Sequence, residues 1–195
     1  LYNISKISGI ELDQNIRERL AYILHQHNNP DPSVQTEIVP ALNELQQRGD
    51  FLLYTLDAIA NSELSIESRF NAASVMRRSI IFSKIPPEVI KFIKSQVEPI
   101  LIPILTLSDE SGDPTINAFC CLIAALVAEI ANRFGSNITF TTSQSFLETT
   151  LKLLSPTNSP QNIMSALSLL EEFLQVHLEV PPDVILLFQP LIGHD

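Results

Sequence analysis

Apolar residues return every three or four positions along most of the chain, the spacing of one helical face. From Leu12 to about Asn28 the inward positions are Leu12, Ile16, Leu20, Ile23 and Leu24, and Asn28-Asn29-Pro30-Asp31-Pro32 stops that helix. Asp31 is placed to cap the next one, with Pro32 at its first position, where the missing N–H costs nothing. This second helix reaches Arg48 with Val34, Ile38, Ala41, Leu42 and Leu45 inward, and Pro40 inside it predicts a kink. Gly49-Asp50 then separates it from Phe51–Ala60, which carries Leu52, Leu53, Leu56, Ile59 and Ala60.

After a turn over Asn61–Ser65 comes Glu67–Lys84, free of Gly and Pro. Its apolar positions are Ile66, Phe70, Ala73, Met76 and Ile80; a polar stripe of Glu67, Asn71, Ser74 and Arg78 runs about 100° around the same helix. Ile85-Pro86-Pro87-Glu88 opens a long helix to about Leu107, which Pro99 and Pro103 should kink or split. Asp113-Pro114 repeats the cap, and the helix to about Arg133 is apolar nearly all round and expected to be the most buried. Further helices are expected over 140–154, from Ser159-Pro160 to about Leu178, and from Pro182 onward.

Four of these helices share a register. Val34, Ile38, Ala41 and Leu45 stand at offsets 0, 4, 7 and 11, as do Ile116, Cys120, Ile123 and Val127, and Ile163, Leu167, Leu170 and Leu174. Ile66, Phe70 and Ala73 follow suit but end on Arg77, which therefore belongs near a seam between repeats, stem packed and head paired. The starts lie 32, 50 and 47 residues apart, two of them near the interval of HEAT and armadillo arrays. The fold expected is all-α: an α-α superhelix, or HEAT-repeat solenoid, of about four helix pairs plus the leading helix of a fifth. It occupies 1–195 as one domain, with repeats near 12–48, 50–84, 87–134 and 140–178 and a fifth starting at 182–195. An ordinary single-core helical domain is the plainer alternative, because amphipathic helices share offsets easily.

Charge narrows the partners. With 22 acidic and 12 basic residues the formal net charge is −10, so nucleic acid and anionic membranes are poor partners and basic proteins are suitable ones. The longest apolar run, Ala118–Ala128, is too short for a membrane span. Leu1 in place of Met points to a fragment or a processed chain. Cys120 and Cys121 are adjacent on a helix and diverge, so no disulfide framework exists and a reducing cytosolic or nuclear setting is favoured. No pattern supports catalysis, a cofactor or a metal. His25 and His27 do not share a helical face, His177 and His194 are isolated, and there is no Gly-rich phosphate loop or Ser elbow.

Three passages carry a family resemblance: LAYILHQHNNPDPSVQTEIVPALNEL, SRFNAASVMRRSI and LKLLSPTNSPQNIMSALSLLEEF. The first resembles a helix ending in a polar stretch before a capped, Leu-rich partner. The second has an Arg, paired alanines, an aliphatic cluster and a basic pair; the third sets a Ser-rich turn before an Ala-Leu helix. Together they resemble the N-terminal HEAT repeats of importin-β type nuclear transport receptors (β-karyopherins). That family usually has Trp after the second repeat and near the start of the fourth; here Phe82 and Phe140 lie in those neighbourhoods. The resemblance implies a non-enzymatic receptor, cytoplasmic and nuclear, that binds Ran-GTP, protein cargo (basic, on this surface) and nucleoporins. It also implies that the second helix of each pair faces the concave, partner-binding side. Residues expected on that side are Glu37, Glu44, Glu67, Asn71, Arg78, Glu129, Glu172 and Gln175. A HEAT-repeat scaffold for a phosphatase or another multiprotein complex is the alternative from a different functional class.

Overall fold

The computed structural model describes residues 10–105, 107, 113–134 and 167. All regular structure among them is helical, and no described helix is long and apolar enough to cross a membrane. The expected helices over 140–154 and 160–178, and the start of the fifth repeat, lie outside the described residues. The chain divides into two compact units, 1–96 and 97–195, so the dividing point falls inside the third expected repeat.

In the first unit, α1 is Gln14–Gln26, α2 Pro32–Gln46, α3 Phe51–Ala60, α4 Ile66–Phe82 and α5 Pro87–Gln96. Helix α1 begins two residues later than the apolar period suggests, because Asp13 is its N-cap and accepts hydrogen bonds from the N–H groups of Asn15 and Ile16. Asp31 caps α2 as expected, accepting from the N–H of Ser33 with Pro32 in the first turn, and the helix continues through Pro40. Ser65 caps α4 through the N–H of Ser68.

Leu20, Ile23 and Leu24 of α1, Ile38, Leu42 and Leu45 of α2, and Ala73, Met76 and Ile80 of α4 are buried, as their periodicity predicts. Helix α3 goes further: every residue from Phe51 to Ile59 is buried, since α3 packs against α1, α4 and α5. Its two polar residues are therefore inside. Thr55 returns its hydroxyl to the Leu52 carbonyl at 2.9 Å, the usual local solution for a buried threonine. Asp57 accepts from Arg17 Nε of α1 at 2.8 Å, both side chains about 5% exposed. Arg17 also donates to Gln14 Oε1 at 2.8 Å. A second tie joins the same regions, where the Asp13 N–H donates to the Tyr54 hydroxyl at 3.2 Å and Arg48 lies 5.9 Å from the Tyr54 ring centroid.

Helix α4 departs from its expected register. It packs on both α3 and α1, so its buried arc is wider than its apolar stripe and takes in Ser68, Arg69, Asn71 and Ser79. Phe70 and Ile66, expected inward, are half-buried at the edge of that arc, while Arg69 is inside and donates from Nε to the Ile59 carbonyl at 2.8 Å. Arg77 is half-buried.

The second unit opens where the predicted proline break lies. Pro99 and Pro103 have no N–H to give to the carbonyls four residues back, and the chain adopts a π-helical turn, Val97–Leu101, followed by the short α6, Ile102–Leu105. Helix α7, Pro114–Phe134, starts with Asp113 accepting from the Thr115 N–H at 2.8 Å. Its core face holds Phe119, Cys120, Ile123, Ala124, Val127 and Ile130, all at zero exposure. Cys120 packs as a small apolar residue whose thiol donates to the Ile104 carbonyl at 3.3 Å, and Cys121 is half-buried.

Candidate protein-binding surface

The expected contact residues of the first unit sit on α2 and α4. Glu37 and Glu44 are exposed on α2, two turns apart on one face. Glu44 is already engaged, accepting from Arg19 Nη2 of α1 at 2.6 Å. That guanidinium holds the Glu44 carboxyl below its ordinary range, and the carboxylate in turn raises Arg19. The pair is open to water, so it fixes side-chain orientation more than it stabilises the fold. A partner cation approaching Glu44 would compete with Arg19.

On α4, Glu67 and Arg78 are exposed at opposite ends and Ser74 between them is half-buried. Asn71 corrects the expected stripe. It is only 4% exposed, donating to the Leu24 carbonyl at 2.9 Å and accepting from the Asn28 amide at 3.3 Å. Leu24 lies in the last turn of α1, where carbonyls have no partner within the helix. Asn71 therefore serves as a cap supplied from a distant helix, with only its edge reaching the surface. That edge forms part of a cleft of about 570 Å³ between the end of α1 and the start of α4, where Glu67 stands at the side. Its far wall is the α1–α2 corner, held by Gln35, whose amide donates to the carbonyls of Asn29 at 2.6 Å and His27 at 3.3 Å.

Arg78 acts on this corner too. His27, the C-cap of α1, is pushed below its ordinary value of 6.5, first by burial and then by the Arg78 guanidinium. The fold thus prefers neutral His27, and the unfolded chain takes up the proton first as pH falls. Stability from this group is complete above about 6.5 and is lost as pH drops from there through the lower folded value. His27→Gln is expected to reduce the fall in melting temperature between about pH 7 and pH 5.5. An identical fall in both proteins would contradict this.

Of the remaining expected contacts, Glu129 is half-buried on α7 in the second unit, and Glu172 and Gln175 lie outside the described residues. Val39 on α2 and Phe82 at the end of α4 are exposed apolar side chains, Val39 on a different side of α2 from Glu37 and Glu44. Among the described residues no group of three or more His, Cys, Asp or Glu is placed to hold a metal ion. The surface offers charged and apolar side chains on rigid helices, which suits recognition of another protein.

No curated protein and no solved structure matches the chain. Residues 40–102 match the profile of the importin-beta N-terminal domain, a span from the second half of α2 through α3, α4 and α5 to the first residue of α6. That match, over about a third of the chain, supports a relationship to the importin-β family.

Proposed function

We propose that this chain belongs to a nuclear transport receptor that binds Ran in its GTP form and carries protein cargo, basic protein included, between cytoplasm and nucleus. The observation that carries this reading is the importin-beta N-terminal match over residues 40–102. The net charge of −10 supports it, favouring basic protein partners over nucleic acid. On this reading Glu37, Glu44, Glu67 and Arg78 of the first unit, and Glu129, Glu172 and Gln175 of the second, contribute contacts to Ran. Asn71 supports those on α4 from beneath, and nucleoporins use other surfaces.

The test is pull-down and calorimetry with Ran loaded with a non-hydrolysable GTP analogue, against Ran-GDP, using chain shown by circular dichroism to be helical. Selective retention of the GTP form is expected. Equal retention of both forms, or of neither, would overturn the Ran-binding reading.

A further inference from the structure

The corner where α4 passes into α5 differs in charge from the chain as a whole. No Asp or Glu occurs from Ser68 to Pro87, in a chain with 22 acidic and 12 basic residues. Two cations of that stretch, Arg78 and Lys84, are exposed. Between them Phe82 is 82% exposed in the last turn of α4, one helical turn from Arg78 on the same side. Ile85 and Pro86 follow half-buried, and Pro87 is exposed. Apolar surface that stays in water with charge at its rim is the form that protein contact sites take.

We infer that this corner binds an acidic segment of a partner protein that carries an aromatic side chain. The partner's ring packs on Phe82 and the apolar link, as aromatic pairs favour. Its carboxylates reach Lys84 and Arg78 in charge-assisted hydrogen bonds. The chain's own acids close to the corner do not take that role. Asp50, next to Gly49, already accepts from Arg48 at 2.9 Å. Glu88 is exposed in the first turn of α5, where it weakens the attraction for anions. Nucleic acid and anionic lipid are extended surfaces that meet the whole net charge of −10, whereas a short segment meets mainly the nearby cations. The corner is also fixed before binding, because the rings of Pro86 and Pro87 hold their φ angles. The Ser83 N–H donates to the Ser79 carbonyl at 2.9 Å, and the Pro86 ring lies on Gly49 of the α2–α3 link, its Cγ 3.4 Å from where a Cβ would stand. Little ordering cost therefore falls on the protein.

The chain has no Trp, so a peptide with one tryptophan between two pairs of glutamates reports its own burial by fluorescence. Saturable binding to the full chain is expected, against the sign of the net charge. Phe82→Ala and Lys84→Gln should each weaken it about fivefold, and Glu88→Gln should strengthen it about twofold. Arg133→Gln, which removes an exposed cation of the second unit, should change it by less than about twofold. All four positions are exposed, and unchanged thermal melts would confirm intact folding. No binding of the peptide, or a loss in the Phe82 and Lys84 variants no greater than in Arg133→Gln, would overturn the proposal. Sedimentation with phosphatidylserine vesicles that Phe82→Ala and Lys84→Gln abolish, without peptide binding, would assign the corner to a lipid surface instead. Arg78, assigned a contact with Ran, is left unaltered, so retention of Ran-GTP by these variants keeps the two readings distinguishable.

Discussion

Asp57→Ala is expected to cost about 3–5 kcal/mol of folding stability, read as a shift in the urea midpoint of the full chain. Asp57 and Arg17 meet at 2.8 Å with about 5% of each side chain exposed. Removing the carboxylate leaves a guanidinium buried between α1 and α3, and water cannot reach it without opening that seam. The energy lost is mainly the penalty of the stranded cation, not the worth of the pair. Replacing both partners together, as Arg17→Met with Asp57→Leu, should therefore cost far less than Asp57→Ala alone. A loss under about 1 kcal/mol for Asp57→Ala would show that Arg17 escapes to solvent.

Asn71→Ala is expected to cost about 1–3 kcal/mol, the range for stranding buried hydrogen-bonding groups. The substitution strips the Leu24 carbonyl of its donor and the Asn28 amide of its acceptor. It also gives a clean separation of roles. If Asn71 acts from beneath the surface, the folded fraction of Asn71→Ala should hold Ran-GTP as tightly as the unsubstituted chain, with only the melt affected. Full stability with weakened binding would restore Asn71 as a contact residue.

The two variants bear on what could be read from the sequence. The helix boundaries were legible because their causes are local. Asp31-Pro32 and Asp113-Pro114 set helix starts through their own side chain and ring, and Pro99 with Pro103 broke the long segment after Pro87 by lacking N–H groups. The apolar cores of α1 and α2 were legible for the same reason, period and composition agreeing. The buried polar residues were not. Arg17, Asp57, Arg69 and Asn71 look like surface residues by type, and what permits their burial is a partner 10 to 47 positions away. One signal was available: Asp57 is the only charged residue in Phe51–Ala60, and an acid alone in an apolar helix needs a counter-charge. In α4 the apolar stripe alone misplaced the solvent side, because a helix packed on two neighbours buries more than its apolar third.

Of the candidate contacts, Glu37, Glu67 and Arg78 were legible as exposed charge, while the engagement of Glu44 by Arg19 required α1 and α2 to be set side by side. The cleft beside Asn71 was not legible at all. Its walls come from segments some 40 residues apart, and no single stretch carries its outline.

The Arg17–Asp57 pair has a further consequence, for choice of neighbour. Helices that repeat one apolar spacing are nearly interchangeable as packing surfaces, so hydrophobic burial alone rewards α1 for docking on many of them. Among the described helices only α3 offers Arg17 a buried carboxylate; docked on another of them, α1 would bury that charge without Asp57. The stripes drive stacking in general, and one ion pair tells the right stack from the wrong ones.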